Sequence, residues 1–295
     1  MEFEIGLLLF NRPKLAQKAI ISLVNQNPQL DLSRVHVLID GYANSKDEYV
    51  KRLNRTQETI DLVQRYLPEC DLIVADSNLG IALAYERLGE EMFLRNNADF
   101  AVFLEEDLLM KRNYFHELTK IKNTLKSYDE VAMFSASGDS ARYFTRQVGQ
   151  FKPMNHFWNY ALRREHFLER RALLSEYISI ISEDTYWNRN NQKIYEWARD
   201  RHLKVLGTSQ DLVKRGIAES FDRIFLTSNS KFAHYLGKMG EHSTPHIYRQ
   251  QGYGKYAGFD FLKNKEGKNY EVNIEELRTI TTEHRYFLEQ NTALV

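Results

Sequence analysis

One cysteine, five prolines and no surplus of either charge narrow the class of this 295-residue chain before any motif does. A single thiol, Cys70, excludes an intramolecular disulfide framework and fits a reducing compartment. Lys+Arg and Asp+Glu both number 40, so no global field favours nucleic acid, and the basic residues are scattered rather than striped. No run approaches the roughly 18 apolar residues of a membrane span. The opening Met1-Glu-Phe-Glu-Ile5 has no basic region or cleavage site and reads as the beginning of a first strand. A cytoplasmic location is the expectation.

The common chemical signatures are missing too. No GxGxxG follows the first strand, and neither GxxxxGK[ST] nor GxSxG occurs. The nine histidines form no HExxH, and zinc-type Cys/His spacing is absent. Hydrophobic residues at 43% and charged residues at 27% are ordinary globular usage, enough to bury a large core. Aromatics reach 13%, with 17 Tyr and 17 Phe, a surplus that supplies flat apolar faces for sugar rings or bases.

Up to about residue 135 strands and helices alternate. Strands are expected over 3–10, 34–40, 71–75 and 99–105, and helices over 13–26, 47–66 and 80–94, with Pro13 in the first turn and Asn78 as a cap. Such alternation implies an α/β fold with a mostly parallel sheet flanked by helices. Beyond it the order loosens. Strands are expected over 131–135, 157–162 and 224–227, and helices from 164, over 186–202 and over 211–216. A Gly- and His-bearing loop covers 237–246, and the tail offers a hairpin around 266–268 and a helix over 274–290. No repeat or Pro-rich linker marks a domain boundary.

The most informative segment is Phe100-Ala-Val-Phe-Leu-Glu-Glu-Asp-Leu-Leu-Met110, an apolar strand ending in Glu105, Glu106 and Asp107. Three adjacent carboxylates repel one another unless a cation offsets them, and oxygen ligands suit Mg²⁺ or Mn²⁺ holding a diphosphate. The plain alternative is a solvated acidic turn. Loops after the first and second strands bring Asn11-Arg12-Pro13 and Asp40-Gly41-Tyr42 to the same sheet edge, where α/β folds bind ligands. Arg12 could clamp phosphate oxygens and Asp40 could accept from a uracil imide. A surface salt bridge and a turn acid are their bland counterparts.

These blocks, with Val37-Leu-Ile-Asp-Gly41, Asp76-Ser-Asn-Leu-Gly80 and the aromatic helix after Lys111, resemble GT-A glycosyltransferases, most closely the N-acetylglucosaminyltransferase I family. The resemblance implies a Rossmann-like GT-A domain over 1–245, with a donor-binding half to about 135, an acceptor half over 136–245, and a hairpin-and-helix extension over 246–295. It implies a UDP-sugar donor, with GlcNAc as the sugar, and a divalent metal held by Asp107. Glu106 would lie near the sugar or a metal-bound water, Glu105 near the ribose or sugar, Arg12 on the diphosphate and Asp40 on uracil. Glu106 stands where the family has Asp, and Asn78 where it has a basic residue. The aromatic strand at Phe157-Trp-Asn-Tyr-Ala-Leu-Arg163 would put Trp158 under a sugar ring, although Trp158 could equally be core. Asp211, at a helix start, is the candidate base, with Glu183 and Asp184 as rivals. The macrodipole alone would also favour an acid at Asp211. His242, or else His246, would reach the metal or diphosphate from the closing loop.

The expectation is thus a metal-dependent, inverting glycosyltransferase whose acceptor is a glycan or lipid-linked saccharide, which would bring it to a membrane face. A sugar-phosphate nucleotidyltransferase is the rival enzyme, but its Gly-rich basic loop has no counterpart in Asn11-Arg12-Pro13. A non-catalytic carbohydrate-binding protein is the rival without chemistry.

Overall fold

A computed structural model describes residues 3–43, 55–138, 149–154, 156–184, 188–238, 245–250, 261–265, 267 and 269–291. Its strands are β1 (Glu4–Leu9), β2 (Val35–Ile39), β3 (Asp71–Val74), β4 (Phe100–Glu105), β5 (Leu108–Met110), β6 (Val131–Ser135), β7 (Phe151–Pro153), β8 (Asn159–Arg163), β9 (Ile224–Ser228) and β10 (Ala233–Tyr235). The α-helices are α1 (Pro13–Val24), α2 (Thr56–Tyr66), α3 (Gly80–Gly89), α4 (Tyr114–Leu125), α5 (Arg164–Ile181), α6 (Asn191–Asp200), α7 (Gln210–Ser220), α8 (Pro245–Gln250) and α9 (Ile274–Asn291).

Eight strands form one sheet in the order β3-β2-β1-β4-β8-β6-β9-β7. β1 pairs in parallel with β2 and β4, β2 with β3, and β6 with β9; β8 and β7 run antiparallel to their neighbours. The expected α/β layout with a mostly parallel sheet is therefore present. β5 and β10, absent from the sequence-based expectation, make a separate antiparallel pair. β5 is three residues long and β7 likewise, too short for alternation to announce them.

The two sides of the sheet follow from residue parity. Ile5, Leu7 and Leu9 join Val37, Val102 and Leu104 in a core covered by α1, α4 and α9. Leu8, Leu38, Ala101 and Phe103 face the other way, beneath Tyr85 and Leu88 of α3 and Phe167 of α5. Every residue of β1 is buried, as expected of a central parallel strand covered on both faces. Leu277 and Ile280 of α9 belong to the first core, so α9 packs onto the sheet. A third cluster, around Leu174, Tyr177, Ile194, Val213 and Ile217, ties α5, α6 and α7 together.

Several boundaries differ from expectation for local reasons. Helix α3 continues as a wider π-wound turn, Glu90–Arg95, so the expected helix is one run in two windings. The expected cap Asn78 does not cap it; that role falls to an acid from another strand, described below. The strand expected over 157–162 begins at Asn159, and α7 runs on to Ser220. The hairpin around 266–268 falls largely outside the described residues, as do residues 47–54 of the second expected helix. No helix among the described residues is long and apolar enough to cross a membrane.

Gly41 shows how tightly the sheet edge is built. A Cβ there would stand 2.6 Å from Ala75 O and from the Ser77 carbonyl, all backbone atoms. Gly41→Ala must therefore push the β2 and β3 loops apart. A loss of about 1–3 kcal/mol in urea unfolding is expected, the usual scale of an overpacked contact; an unchanged midpoint would contradict the close approach.

Candidate functional site

The C-terminal ends of β1, β2 and β4 bring together the loops singled out in the sequence. Arg12 is the residue before α1, and its carbonyl accepts from Leu15 N (2.8 Å) and Ala16 N (3.0 Å). Pro13 follows at the first helical position, where a missing N–H costs nothing. The helix start thus fixes where the Arg12 side chain leaves the backbone. Its Nε donates to Glu106 Oε1 at 2.5 Å and its Nη1 lies 2.9 Å from Asp107 Oδ2. Glu106 Oε2 accepts from Phe10 N at 3.0 Å. Glu106 and Asp107 are each only 2% exposed, which excludes a solvated acidic turn.

Electrostatics at the triplet are those of a site short of positive charge. Burial raises the Asp107 carboxyl, Arg12 pulls it back and Glu106 raises it further. Glu105 sits well above the usual carboxylate range, through burial and then the Asp107 charge, against a 2.8 Å hydrogen bond donated by Tyr85 Oη. Burial also works against the Arg12 guanidinium, and Asp107 and Glu106 more than restore its charge. Asp107 Oδ1 remains buried with no hydrogen-bond partner. An orphaned carboxylate oxygen in a cluster of acids is the donor a hard divalent cation takes, so the residues fit Mg²⁺ or Mn²⁺.

Asp40 has a different neighbourhood. Its Oδ1 accepts from Gly41 N (2.8 Å) and Leu79 N (2.7 Å), and its Oδ2 from Gly80 N (3.1 Å) and Asn78 Nδ2 (3.1 Å). Asp40 thereby caps α3 from across the sheet, and Asn78 Nδ2 also bonds Gly41 O at 2.9 Å. The structure brings Asp40 and Asn78 together, as bonded partners. Asn11 is buried beside this edge.

From the second half, Asp211 enters the first turn of α7 behind Ser209, whose side chain caps Leu212 N. The structure brings Asp211 to the acidic block: its charge raises the pKa of Glu105, Tyr85 and Tyr160. Burial raises the Asp211 carboxyl itself, opposed by Lys214 and Arg215. Glu183 and Asp184 are elsewhere, exposed beyond the end of α5, with Glu183 paired to Lys193 at 2.5 Å. His242 lies outside the described residues, and His246 is exposed on α8.

Trp158 is half-buried and stacks on His156 (4.8 Å between centroids) and on Tyr235 (4.4 Å), nearly parallel to both. Its carbonyl accepts from Glu105 N at 3.2 Å, which anchors the aromatic strand to the triplet. The structure adds residues that sequence reading passed over. Leu236 N donates to Asp107 O at 2.7 Å, and a Cβ on Gly237 would meet Tyr235 and, at 2.7 Å, Asp107 Oδ2. A larger residue would crowd the oxygen that Arg12 Nη1 holds, and the Gly-bearing loop was the available signal. Tyr248 Oη donates to Tyr235 O at 2.9 Å. Lys214, 1% exposed, places Nζ 4.6 Å above the Tyr85 ring, and burial with Arg170 presses its pKa to about 8. A lysine in the middle of a helix carries no sequence mark of such a place.

No family model matches the chain, and no curated protein matches it in sequence. Solved structures similar to it include S. aureus TarS 1–349 in complex with UDP-GlcNAc, at 11% identity and TM-score 0.46, covering 82% of this chain and 60% of that one. Mouse xyloside xylosyltransferase 1, apo form, is similar at 14% identity and TM-score 0.43, covering 93% and 99%. The mannosyltransferase PcManGT from Pyrobaculum calidifontis, in complex with GDP-Man and Mn²⁺, is similar at 14% and 0.37, covering 57% and 46%. The chain thus spans about three fifths of the length of the TarS fragment. Likenesses this distant assign no residue a role.

Asp40 generates a pH prediction. Burial pushes its carboxyl from 3.8 up to about 6, with the Leu79, Gly41 and Gly80 N–H groups working the other way. A raised folded-state value stabilises the protein fully below the unfolded value and loses that stabilisation as pH rises through the folded one. Stability should therefore fall between about pH 4 and pH 6, by up to about 3 kcal/mol from this group. Asp40→Asn should flatten that part of the profile in denaturant titrations at each pH; an unaltered slope would contradict the assignment.

Proposed function

We propose that this chain is a metal-dependent, inverting glycosyltransferase that moves a sugar from a UDP-sugar to a hydroxyl of a glycan or lipid-linked saccharide. The observation that carries this reading is the buried, unpartnered Asp107 Oδ1 beside the Arg12 guanidinium, at the sheet edge where Glu105 and Asp211 converge. Asp107 would hold the metal, with His242 a further ligand from the loop. The bound ion would supply positive charge to a diphosphate leaving group.

In this reading Arg12 turns its planar fork of donors toward the diphosphate oxygens, while Glu106 keeps the arginine in place. Asp211 takes the proton of the acceptor hydroxyl. The acceptor oxygen then bonds to the anomeric carbon as the bond from that carbon to the diphosphate oxygen breaks, and UDP leaves with the electron pair. A carboxylate with a raised pKa is a stronger base than an exposed one, which suits this task near neutral pH. Glu105, held by Tyr85, borders the ribose or sugar, and Trp158 with Tyr235 forms an aromatic wall beside it. Asp40 and Asn78 shape the nucleotide end, with uracil as the base and GlcNAc as the sugar that the family resemblance favours. Gly237 leaves room beside the Asp107 Oδ2–Arg12 pair, and the loop it begins would close over the donor and exclude water.

Screening UDP-sugars for thermal stabilisation with and without Mn²⁺ identifies the donor, and UDP release then measures turnover. Asp107→Ala should abolish metal-dependent UDP release while keeping the fold by circular dichroism; wild-type turnover in that variant would refute the metal assignment. Asp211→Asn should lower kcat by about 10²–10⁴, the span of general-base catalysis, with donor affinity nearly unchanged. A parallel loss in Glu183→Gln instead would move the base to the rival acid.

A further inference from the structure

A second group of metal-ligating side chains lies farther back in the same sheet and plays no part in the donor site. In the parallel register Gly6 of β1 stands beside His36 of β2, and His36 beside Asp71 of β3. Residues paired in this way present their side chains on one face. Here it is the face covered by α3 and the turn that follows it, which is where Glu91 descends. One donor atom each from His36, Asp71 and Glu91 lies within 4.8 Å of the others. His36 lies in β2 four residues before Asp40, which follows the strand, about 13 Å away along the chain.

The imidazole is prepared for one task. His36 is 3% exposed, and its Nε2 lies 2.8 Å from Glu4 Oε2, while Arg34 Nε occupies the other Glu4 oxygen at 2.8 Å. A carboxylate on one ring nitrogen fixes the proton there and turns the lone pair of the other outward, the arrangement found behind metal-bound histidines. That other nitrogen, Nδ1, faces Asp71 Oδ2 at 3.3 Å. Donors around a tetrahedral ion with bonds near 2.1 Å stand roughly 3.4 Å apart. The His36–Asp71 pair already has this spacing, and Glu91, paired with Arg95 Nη1 at 2.8 Å, has a carboxylate oxygen within 4.8 Å of both.

We propose that His36, Asp71 and Glu91 form a structural zinc-type site, with Glu4 orienting the histidine. One imidazole nitrogen and two carboxylate oxygens suit a borderline divalent ion such as Zn²⁺, with water completing the shell. The ion would pin β3, a four-residue strand at the edge of the sheet, to β2 and to the turn after α3. The rival state is an imidazolium shared by Glu4 and Asp71, which needs no metal. The proposal is independent of the donor-site reading.

Zn²⁺ titrated calorimetrically into chelator-treated Asp107→Ala protein separates the two sites. One equivalent should bind and raise the melting temperature. Adding Glu91→Gln should weaken binding at least about tenfold, the lower end for losing a metal-site partner, and adding His36→Gln should abolish it. Glu91→Gln sits on a partly exposed turn and keeps the test decisive if His36→Gln fails to fold. No Zn²⁺ binding to Asp107→Ala would overturn the site in favour of the imidazolium. Binding unchanged by Glu91→Gln would place the ion elsewhere and overturn it equally.

Discussion

The guanidinium of Arg12 between Glu106 and Asp107 is the interaction on which the rest of this sheet edge depends. Two adjacent carboxylates at 2% exposure are tolerable only because a rigid, permanently charged fork reaches them. Removing one partner of a buried ion pair typically costs about 3–5 kcal/mol, because the remaining charge stays buried. The backbone supplies the geometry. β1 and β4 are neighbours, so the residue opening α1 and the residues ending β4 meet without long-range adjustment. Arg12 satisfies one oxygen of Asp107 and leaves the other bare. A site balanced in this way holds together without a cation and still has a use for one.

The same sheet edge is braced at its other end by Asp40. Its four hydrogen bonds join the loops after β2 and β3 and supply the cap that α3 otherwise lacks. An acid already accepting from three backbone N–H groups is held in one orientation. Preorganisation of this kind is compatible with reading a base, since an aligned carboxylate adds little reorganisation to binding. The capping role stands on its own, whatever the ligand.

Much of this was legible because it is periodic or local. The four parallel strands of the first half announced themselves as apolar runs closed by turn residues, and the order of their loops placed Arg12, Asp40 and the triplet on one edge. The cap on α3 was misread as Asn78 because capping is usually supplied from the residue before the helix, whereas Asp40 arrives from 39 residues away in sequence to Leu79. Strands of three residues, such as β5 and β10, are too short for any alternation to register. Lys214 and Tyr85 were unreadable for a different reason. Their importance lies in which buried charges they face, and that is decided by how α3 and α7 pack. Asp211 was legible only through a family resemblance, and its proximity to Glu105 is a property of the tertiary fold alone.

That proximity gives the second half of the site its logic. Glu105 and Asp211 are both pushed above the ordinary carboxylate range, but by unlike surroundings. Glu105 faces the Asp107 and Asp211 charges, both of which disfavour its ionisation. Asp211 carries Lys214 and Arg215 on its own helix, and these favour its ionised form. When environments separate two neighbouring carboxyls, the one better supplied with positive charge is the one free to accept a proton. The same positive charge has a limit. Lys214 is itself pressed to about 8 by burial and by Arg170, so it loses its proton before an ordinary lysine does. Its support of the Asp211 carboxylate therefore weakens on the alkaline side, and for the proposed base that limit is set by α7 rather than by the triplet.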